Sequence, residues 1–397
     1  MSRRVSLLVA ILSVVDCKVR VGIVGLPNVG KSTLFNAIAQ QSIAQAANFP
    51  FCTIEPNIAP IAVPTDHLQG LSALAGTERA VPATIEWVDI AGLAKGASRG
   101  EGLGNKFLGT VRDCDAICHV VRTFDDPNTV HVDGRVDPAA DAEIINLELL
   151  LADAAHVERR LERTTCIGEE RAALETVLGG LQSGVPARSV GLLDAQLQNA
   201  GVKSMGLLTL KPMLYCFNVD EATFASARDR ALMDAERVLS SLQFCNPATD
   251  RFTVCSAKLE AEISELEDPA EQRSYLEALG VQPHQGRHDA FLCHQVLPTL
   301  MRELLELSIA YTGPGVSPDV TKTTKAHLFR RSSLSAAGLA RRLHGDIEKG
   351  FLRAEVVPAL TLLRQKTYTA ARESGSIRTE GRGYGVSDED VVLIKWK

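Results

Sequence analysis

The sequence predicts an α/β protein built around a doubly wound, mostly parallel sheet, and three observations carry that expectation. Val19, Val21, Ile23 and Val24 form a short apolar run. Further runs at Ala83 to Val88, Ala116 to Val121, Pro212 to Phe217 and Phe252 to Cys255 are equally short and rich in β-branched or aromatic residues, as strands covered on both faces tend to be. Helical stretches separate several of these runs, which favours parallel strands joined by crossovers. The first run leads directly into Gly25-Leu-Pro-Asn-Val-Gly30-Lys31-Ser32 and then into the helical stripe Leu34, Phe35, Ala37, Ile38 and Ala39, so a glycine loop sits between strand and helix.

In chain order, residues 1–17 stand apart as an extension. Arg3 and Arg4 precede the apolar run Val5 to Val15, which is too short to span a membrane and shows no small-x-small cleavage site before the strand that follows. The expectation is a cytoplasmic protein without membrane attachment, with an organellar presequence as the alternative. The α/β body is expected over residues 18–312. Between its third and fourth parallel runs lies an insert, at about 143–205, with no strand character. There Leu147, Leu151, Ala154, Val157 and Leu161 recur at helical spacing. A second helical pattern, from Glu169 to Leu181, is interrupted by Gly179-Gly180, and a third, shorter one follows near Leu192 to Leu197. This reads as a helical arm. A helix is expected from Asp289 to Ile309, the breaker Gly313-Pro-Gly315 marks a boundary, and the tail domain, 313–397, ends in a strand from Asp390 to Lys395.

Composition narrows the function classes. With 397 residues, 45% hydrophobic and 23% charged, the chain is neither a disordered tail, a collagen-like repeat nor a polytopic membrane protein. Its net charge of −6 argues against indiscriminate polyanion binding. The charge is uneven, however. Lys322 to Lys397 hold 15 Lys and Arg against 8 Asp and Glu, a net of +7, so the rest carries −13. A basic tail on an acidic body suggests a surface for nucleic acid or an acidic partner, with Lys322, Lys325, Arg330, Arg331, Arg341 and Arg342 as candidate contacts. An ordinary solvated face is the competing reading. The nine cysteines are scattered without a metal-site spacing and read as structural thiols.

Gly25 to Ser32 matches G-x-x-x-x-G-K-[ST], and its placement between strand and helix is what phosphate binding needs. Backbone N–H groups and the helix N-terminus cradle phosphate oxygens, while Lys31 neutralises β/γ-phosphate charge and the Ser32 hydroxyl ligates Mg²⁺. Asp89-Ile-Ala-Gly92 ends the second run, so Asp89 is placed to reach the Mg²⁺ shell and Gly92 to offer its N–H to a γ-phosphate. Thr53, in Asn48-Phe-Pro-Phe-Cys-Thr53, is a candidate further Mg²⁺ ligand; a surface threonine is the alternative. Asn218-Val-Asp-Glu221 and Cys255-Ser-Ala-Lys258 end the last two runs, where guanine-nucleotide switches carry N-K-x-D and S-A-K. Here Val219 replaces the Lys and Glu221 the Asp. The longer carboxylate would crowd the pairing with guanine N1 and N2, at a cost of about 1–3 kcal/mol or more in discrimination. Leu93 stands where Ras-like switches hold a water-orienting Gln, and leucine makes no hydrogen bond to water. His119 is a candidate to supply that help, or else a buried strand histidine. Gly96, Gly100, Gly102 and Gly104 give the segment after Leu93 conformational freedom.

Together these motifs resemble the YchF family, the Obg-like ATPases, among the translation-factor-like P-loop NTPases. The likeness runs through Gly22 to Thr33, Asn48 to Asn57, Asp89 to Leu93, Lys95 to Ser98, Gly100 to Leu108, His119 to Arg122, Asn218 to Glu221 and Glu348 to Glu355. It implies a nucleotide domain, an inserted helical arm and a C-terminal β-grasp (TGS) domain. It further implies slow ATP hydrolysis with weaker use of GTP, ribosome association, and a monomer. By motif match, Asn28, Val29, Gly30, Lys31, Ser32 and Thr33 would hold the phosphates, and Ser32, Thr53 and Asp89 the Mg²⁺, with K⁺ as a further candidate cation. Asn218, Val219, Glu221, Ser256 and Ala257 would face the base, and His119 would take the catalytic-histidine place beside Lys31. A GTP-specific switch and a non-hydrolysing ribosome- or RNA-binding adaptor are the alternatives.

Overall fold

The computed structural model describes residues 19–46, 57–63, 65–90, 103–126, 135–246, 249–266, 268–281, 296, 299–313 and 323–397. The described strands are β1 (Val19–Val24), β2 (Ile58–Ala62), β3 (Arg79–Val81), β4 (Thr84–Asp89), β5 (Ala116–Arg122), β6 (Met213–Asn218), β7 (Arg251–Cys255), β8 (Leu307–Thr312), β9 (Thr323–Arg330), β10 (Phe351–Pro358), β11 (Arg378–Glu380) and β12 (Asp390–Trp396). The first five helices are α1 (Lys31–Ala46), α2 (Leu68–Ala75), α3 (Leu103–Arg112), α4 (Pro138–Leu161) and α5 (Gly168–Gln182). The chain divides into two compact units, whose described parts are 19–61 with 86–305, and 62–85 with 306–397. The C-terminal part of the second unit thus begins at Glu306, where the breaker at Gly313 suggested 313, and the unit also takes in a segment more than two hundred residues upstream.

The first unit holds a six-stranded sheet in the order β2-β4-β1-β5-β6-β7. β1 pairs with β5, β5 with β6, and β6 with β7, all parallel. All seven residues of β5 and all six of β6 are buried, which explains their unbroken apolar runs. All five expected strands are present. Cys118, Cys216 and Cys255 lie buried in this sheet as free thiols, in agreement with their structural reading.

The insert is helical as expected but begins earlier, at Pro138, behind the N-cap Asp137, whose side chain accepts from the Ala140 amide. α5 is not interrupted at Gly179-Gly180. A Cβ on Gly180 would come within 2.4 Å of Val190 Cγ2, so glycine there permits close packing rather than breaking the helix. Leu150, Val157, Leu174, Val177, Leu181, Leu197 and Val202 form the arm's own apolar core. Two buried carboxylates anchor it. Asp153 accepts from the Leu208 and Thr209 amides at 3.0 and 2.7 Å, and Asp250 accepts from Arg188 Nε and Nη2 at 2.7 and 2.6 Å. Removing one partner of such a pair leaves a buried charge uncompensated, at a cost of about 3–5 kcal/mol.

The second unit contains a mixed sheet in the order β11-β10-β12-β8-β9-β3. A parallel β12–β8 pair is flanked by antiparallel β10–β12 and β8–β9 pairs, as a β-grasp module requires. Phe329, Leu339, Val356, Val392 and Ile394 lie in its core. The expected closing strand is β12. The helix expected from Asp289 to Ile309 does not extend that far: a π-helical turn at Thr299–Leu304 ends, Glu306 takes a left-handed φ of 48°, and β8 begins. Leu307 to Thr312 pair with β9 instead, and backbone pairing decides between two readings of one apolar stretch. Among the described residues no helix is long and apolar enough to cross a membrane.

Candidate nucleotide-binding site

The glycine loop leaves β1 at the C-terminal end of the parallel sheet, the side on which open α/β sheets bind ligands. Gly30 has φ = +98°, and a Cβ there would sit 2.3 Å from Asn218 Nδ2, so only glycine fits both the turn and the neighbour. Asn28 also takes a left-handed φ, of 61°. α1 starts at Lys31, with the Leu34 amide donating to the Gly30 carbonyl at 2.9 Å. Ser32 and Thr33 lie exposed at its start, Val29 is buried, and Asn28 is exposed. The free N–H groups of this first turn are the anion-binding element of the motif.

Lys31 is buried, and its Nζ donates to the Leu26 carbonyl at 2.6 Å. Burial lowers its pKa to about 8, and the Asp89 carboxylate opposes that shift. Burial likewise raises the Asp89 pKa, against the pull of Lys31 and a hydrogen bond from Ser32. Lys31, Ser32 and Asp89 therefore meet as the motifs suggested. Asp89 Oδ1 is buried without a partner, and a hydroxyl beside an underused carboxylate oxygen suits a hard cation such as Mg²⁺. Thr53, Gly92 and Leu93 lie outside the described residues, as does the 1–17 extension.

Asn218 ends β6 and uses its whole amide group. Nδ2 donates to the Val29 carbonyl at 3.0 Å, and Oδ1 accepts from the Ala257 amide at 2.9 Å. The Val219 amide donates to the Cys255 carbonyl at 2.9 Å, and Ser256 caps the helix Ala257–Glu265 by accepting from the Leu259 amide. Asn218, Val219 and Ala257 line a cleft of about 680 Å³ together with Asn28, Gly30, Thr33, Phe124, Asp125, Asp126, Asp220, Glu221 and Lys258.

His119 lies one step outside this cleft. It is 1% exposed on β5, level with Val24 of β1 and Tyr215 of β6, and its ring centroid is 5.3 Å from that of Tyr215. Burial, reinforced by the charge of Lys31, pushes its pKa down to about 3, so the imidazole is neutral. Its Nδ1 has no hydrogen-bond partner.

Residue-by-residue reading missed Arg122, Phe124 and the partnering of Lys258. Arg122, buried at the end of β5, donates from Nε to the Phe124 carbonyl at 2.9 Å and from Nη1 towards the Asn28 carbonyl at 3.5 Å, with its guanidinium 4.6 Å from the Phe124 ring centroid. A charged residue closing a fully buried strand was the available signal. Of the tail cations, Lys325, Arg331 and Arg341 are exposed, but Arg330 is only 8% exposed and Arg342 is turned back to the Leu328 carbonyl at 2.6 Å. Lys322 lies outside the described residues. The six candidates therefore do not form one open surface.

Residues 20–152 match the family model described as a 50S ribosome-binding GTPase, and residues 321–397 match the YchF-type GTPase C-terminal model, described as a protein of unknown function. The chain is similar to the ribosome-binding ATPase YchF of Bacillus subtilis, at 41% identity over 386 residues that cover 94% of this chain and 98% of the relative. It is similar to that of Haemophilus ducreyi at 42% over 384 residues, with the same coverage. Among solved structures, the YchF GTPase of Schizosaccharomyces pombe superposes with a TM-score of 0.79 at 32% identity, covering 95% of this chain and 98% of that one.

Proposed function

Because the chain belongs to the YchF family, we propose that it is an ATP-binding and ATP-hydrolysing switch that associates with the ribosome and works in the cytoplasm as a monomer. The observation that carries the nucleotide reading is the cleft at which Asn218 braces the phosphate loop, through the Val29 carbonyl, against the Ala257 amide. Phosphates sit on the exposed first turn of α1, next to Lys31, and the base lies towards Asn218, Val219 and Glu221. Bound polyphosphate favours the charged form of Lys31, which burial disfavours.

Ser32 and Asp89 would hold Mg²⁺, with Thr53 the further ligand that the motif implies, and the metal would neutralise charge on the β- and γ-phosphates. ATP is preferred over GTP because Glu221 stands where guanine needs the shorter aspartate. His119 gives the polar help that Leu93 cannot; a neutral imidazole with an unpartnered Nδ1, close enough to Lys31 to feel its charge, supports that role. Exposed Lys325, Arg331 and Arg341 supply ribosomal-RNA phosphate contacts from the tail domain.

Nucleotide titration followed by ribosome co-sedimentation tests the proposal. The purified chain should bind ATP more tightly than GTP and sediment with ribosomes in a nucleotide-dependent way. Failure to bind either nucleotide would overturn it.

A further inference from the structure

Glu221 and Lys258 come from the first turns of two different helices that line the cleft, and they are paired. Glu221 opens the helix Glu221–Ser226 directly after β6, and Lys258 is the second residue of the helix Ala257–Glu265 after β7. Lys258 Nζ contacts Glu221 Oε1, while Glu262 Oε1 stands further off at 3.9 Å. The neighbouring carboxylate is already committed: Asp220 caps the helix, with Oδ1 accepting from the Thr223 amide at 2.8 Å and Oδ2 from its hydroxyl at 2.7 Å. Of these two adjacent acids, Glu221 is therefore the one able to meet a base edge. Its partner cation is 70% exposed, whereas the Glu221 side chain is 25% exposed.

Guanine presents N1–H and N2–H side by side, a pattern best received by a carboxylate with both oxygens free. With Lys258 on Oε1, a guanine must either displace the ammonium or accept a single hydrogen bond. Adenine presents only its N6 amino group, which the remaining oxygen can accept. We propose that Lys258 is a specificity-determining residue: by pairing with Glu221 it withholds one carboxylate oxygen from the base and lowers affinity for guanine relative to adenine nucleotides. This rests on the cleft being the nucleotide site, and adds to the length of Glu221 a second cause of selectivity.

Calorimetric titration of ATP and GTP into the full chain and its variants tests the inference. Lys258→Ala should raise GTP affinity relative to ATP by up to about 5-fold, the range expected for freeing one partner of a partly exposed ion pair. Lys258→Arg, which keeps the pairing, should retain the wild-type ratio. In a Glu221→Gln background, Lys258→Ala should change nothing. An unchanged ratio in Lys258→Ala protein that still binds ATP, or an equal change in the Glu221→Gln background, would overturn the role of Lys258 and leave the nucleotide site standing. Wild-type protein that binds neither nucleotide would overturn the site itself.

Discussion

Asn218 is joined to Val29 by a 3.0 Å hydrogen bond from its side-chain nitrogen to the backbone carbonyl, and its other end holds the Ala257 amide. One side chain from β6 thus fixes the spacing between the phosphate loop and the loop after β7. Asn218→Ala strands a buried carbonyl and a buried amide, each at about 1–3 kcal/mol. ATP affinity and unfolding free energy should therefore fall together. Calorimetry and urea unfolding would detect this, and a change in base preference with stability intact would show that Asn218 reads the base without bracing the loops.

His119→Ala separates catalysis from packing. The variant should lose about 10²- to 10⁴-fold in hydrolysis rate, the usual contribution of a proton-transfer or positioning group, with a much smaller change in ATP affinity. Single-turnover rates and binding constants measured on the same preparation check it. A loss of thermal stability with the rate per folded molecule unchanged would make His119 a core residue only.

His327 couples stability of the tail domain to pH. Its ring is buried beside Thr312, and burial, with Lys325 and Arg342 nearby, pushes its pKa from 6.5 down to about 3. Above pH 6.5 neither state binds the proton and the group has no effect. As pH falls from there towards about 3, the unfolded chain takes up a proton that the folded chain refuses, so stability declines by about 1.4 kcal/mol per pH unit. His119 acts in the same direction. Replacing His327 by Gln should remove about 2 kcal/mol of the loss between pH 7 and 5. Urea unfolding at both pH values checks this, and equal acid sensitivity in variant and wild type would contradict it.

Serine at Lys325, Arg331 and Arg341 should weaken ribosome co-sedimentation and flatten its dependence on salt. Each phosphate that the variant no longer neutralises lowers the logarithmic slope by about 0.7–0.9. ATP hydrolysis without ribosomes should not change. Binding equal to wild type from low to moderate salt would mean that these cations merely solvate the surface.

The phosphate loop, Asp89 and five strands of the first unit's sheet were legible because glycine geometry and two-sided burial leave few alternatives. The first turn of α4 was not, since its start depends on the Asp137 cap rather than on apolar spacing. β8 was hidden by a stretch whose leucines suit a helix as well as a strand, and only pairing with β9 decides between them. β3, three residues long, finds its partner β9 far along the chain, so neither it nor the unit that includes 62–85 could be read locally. For the same reason Glu221 was visible as a substitution, but its partner Lys258 was not.

If this cleft hydrolyses ATP and ribosomes govern the rate, both facts are visible in one assay. Phosphate release from ATP is followed for the full chain and its Lys31→Ala variant with Mg²⁺, with and without ribosomes. The wild type should turn over slowly and be accelerated by ribosomes. The variant should release no phosphate above the blank, because the buried cation facing the phosphates is gone. ATP-bound wild type that releases no phosphate even with ribosomes, or a Lys31→Ala variant as active as wild type, would contradict the proposed function.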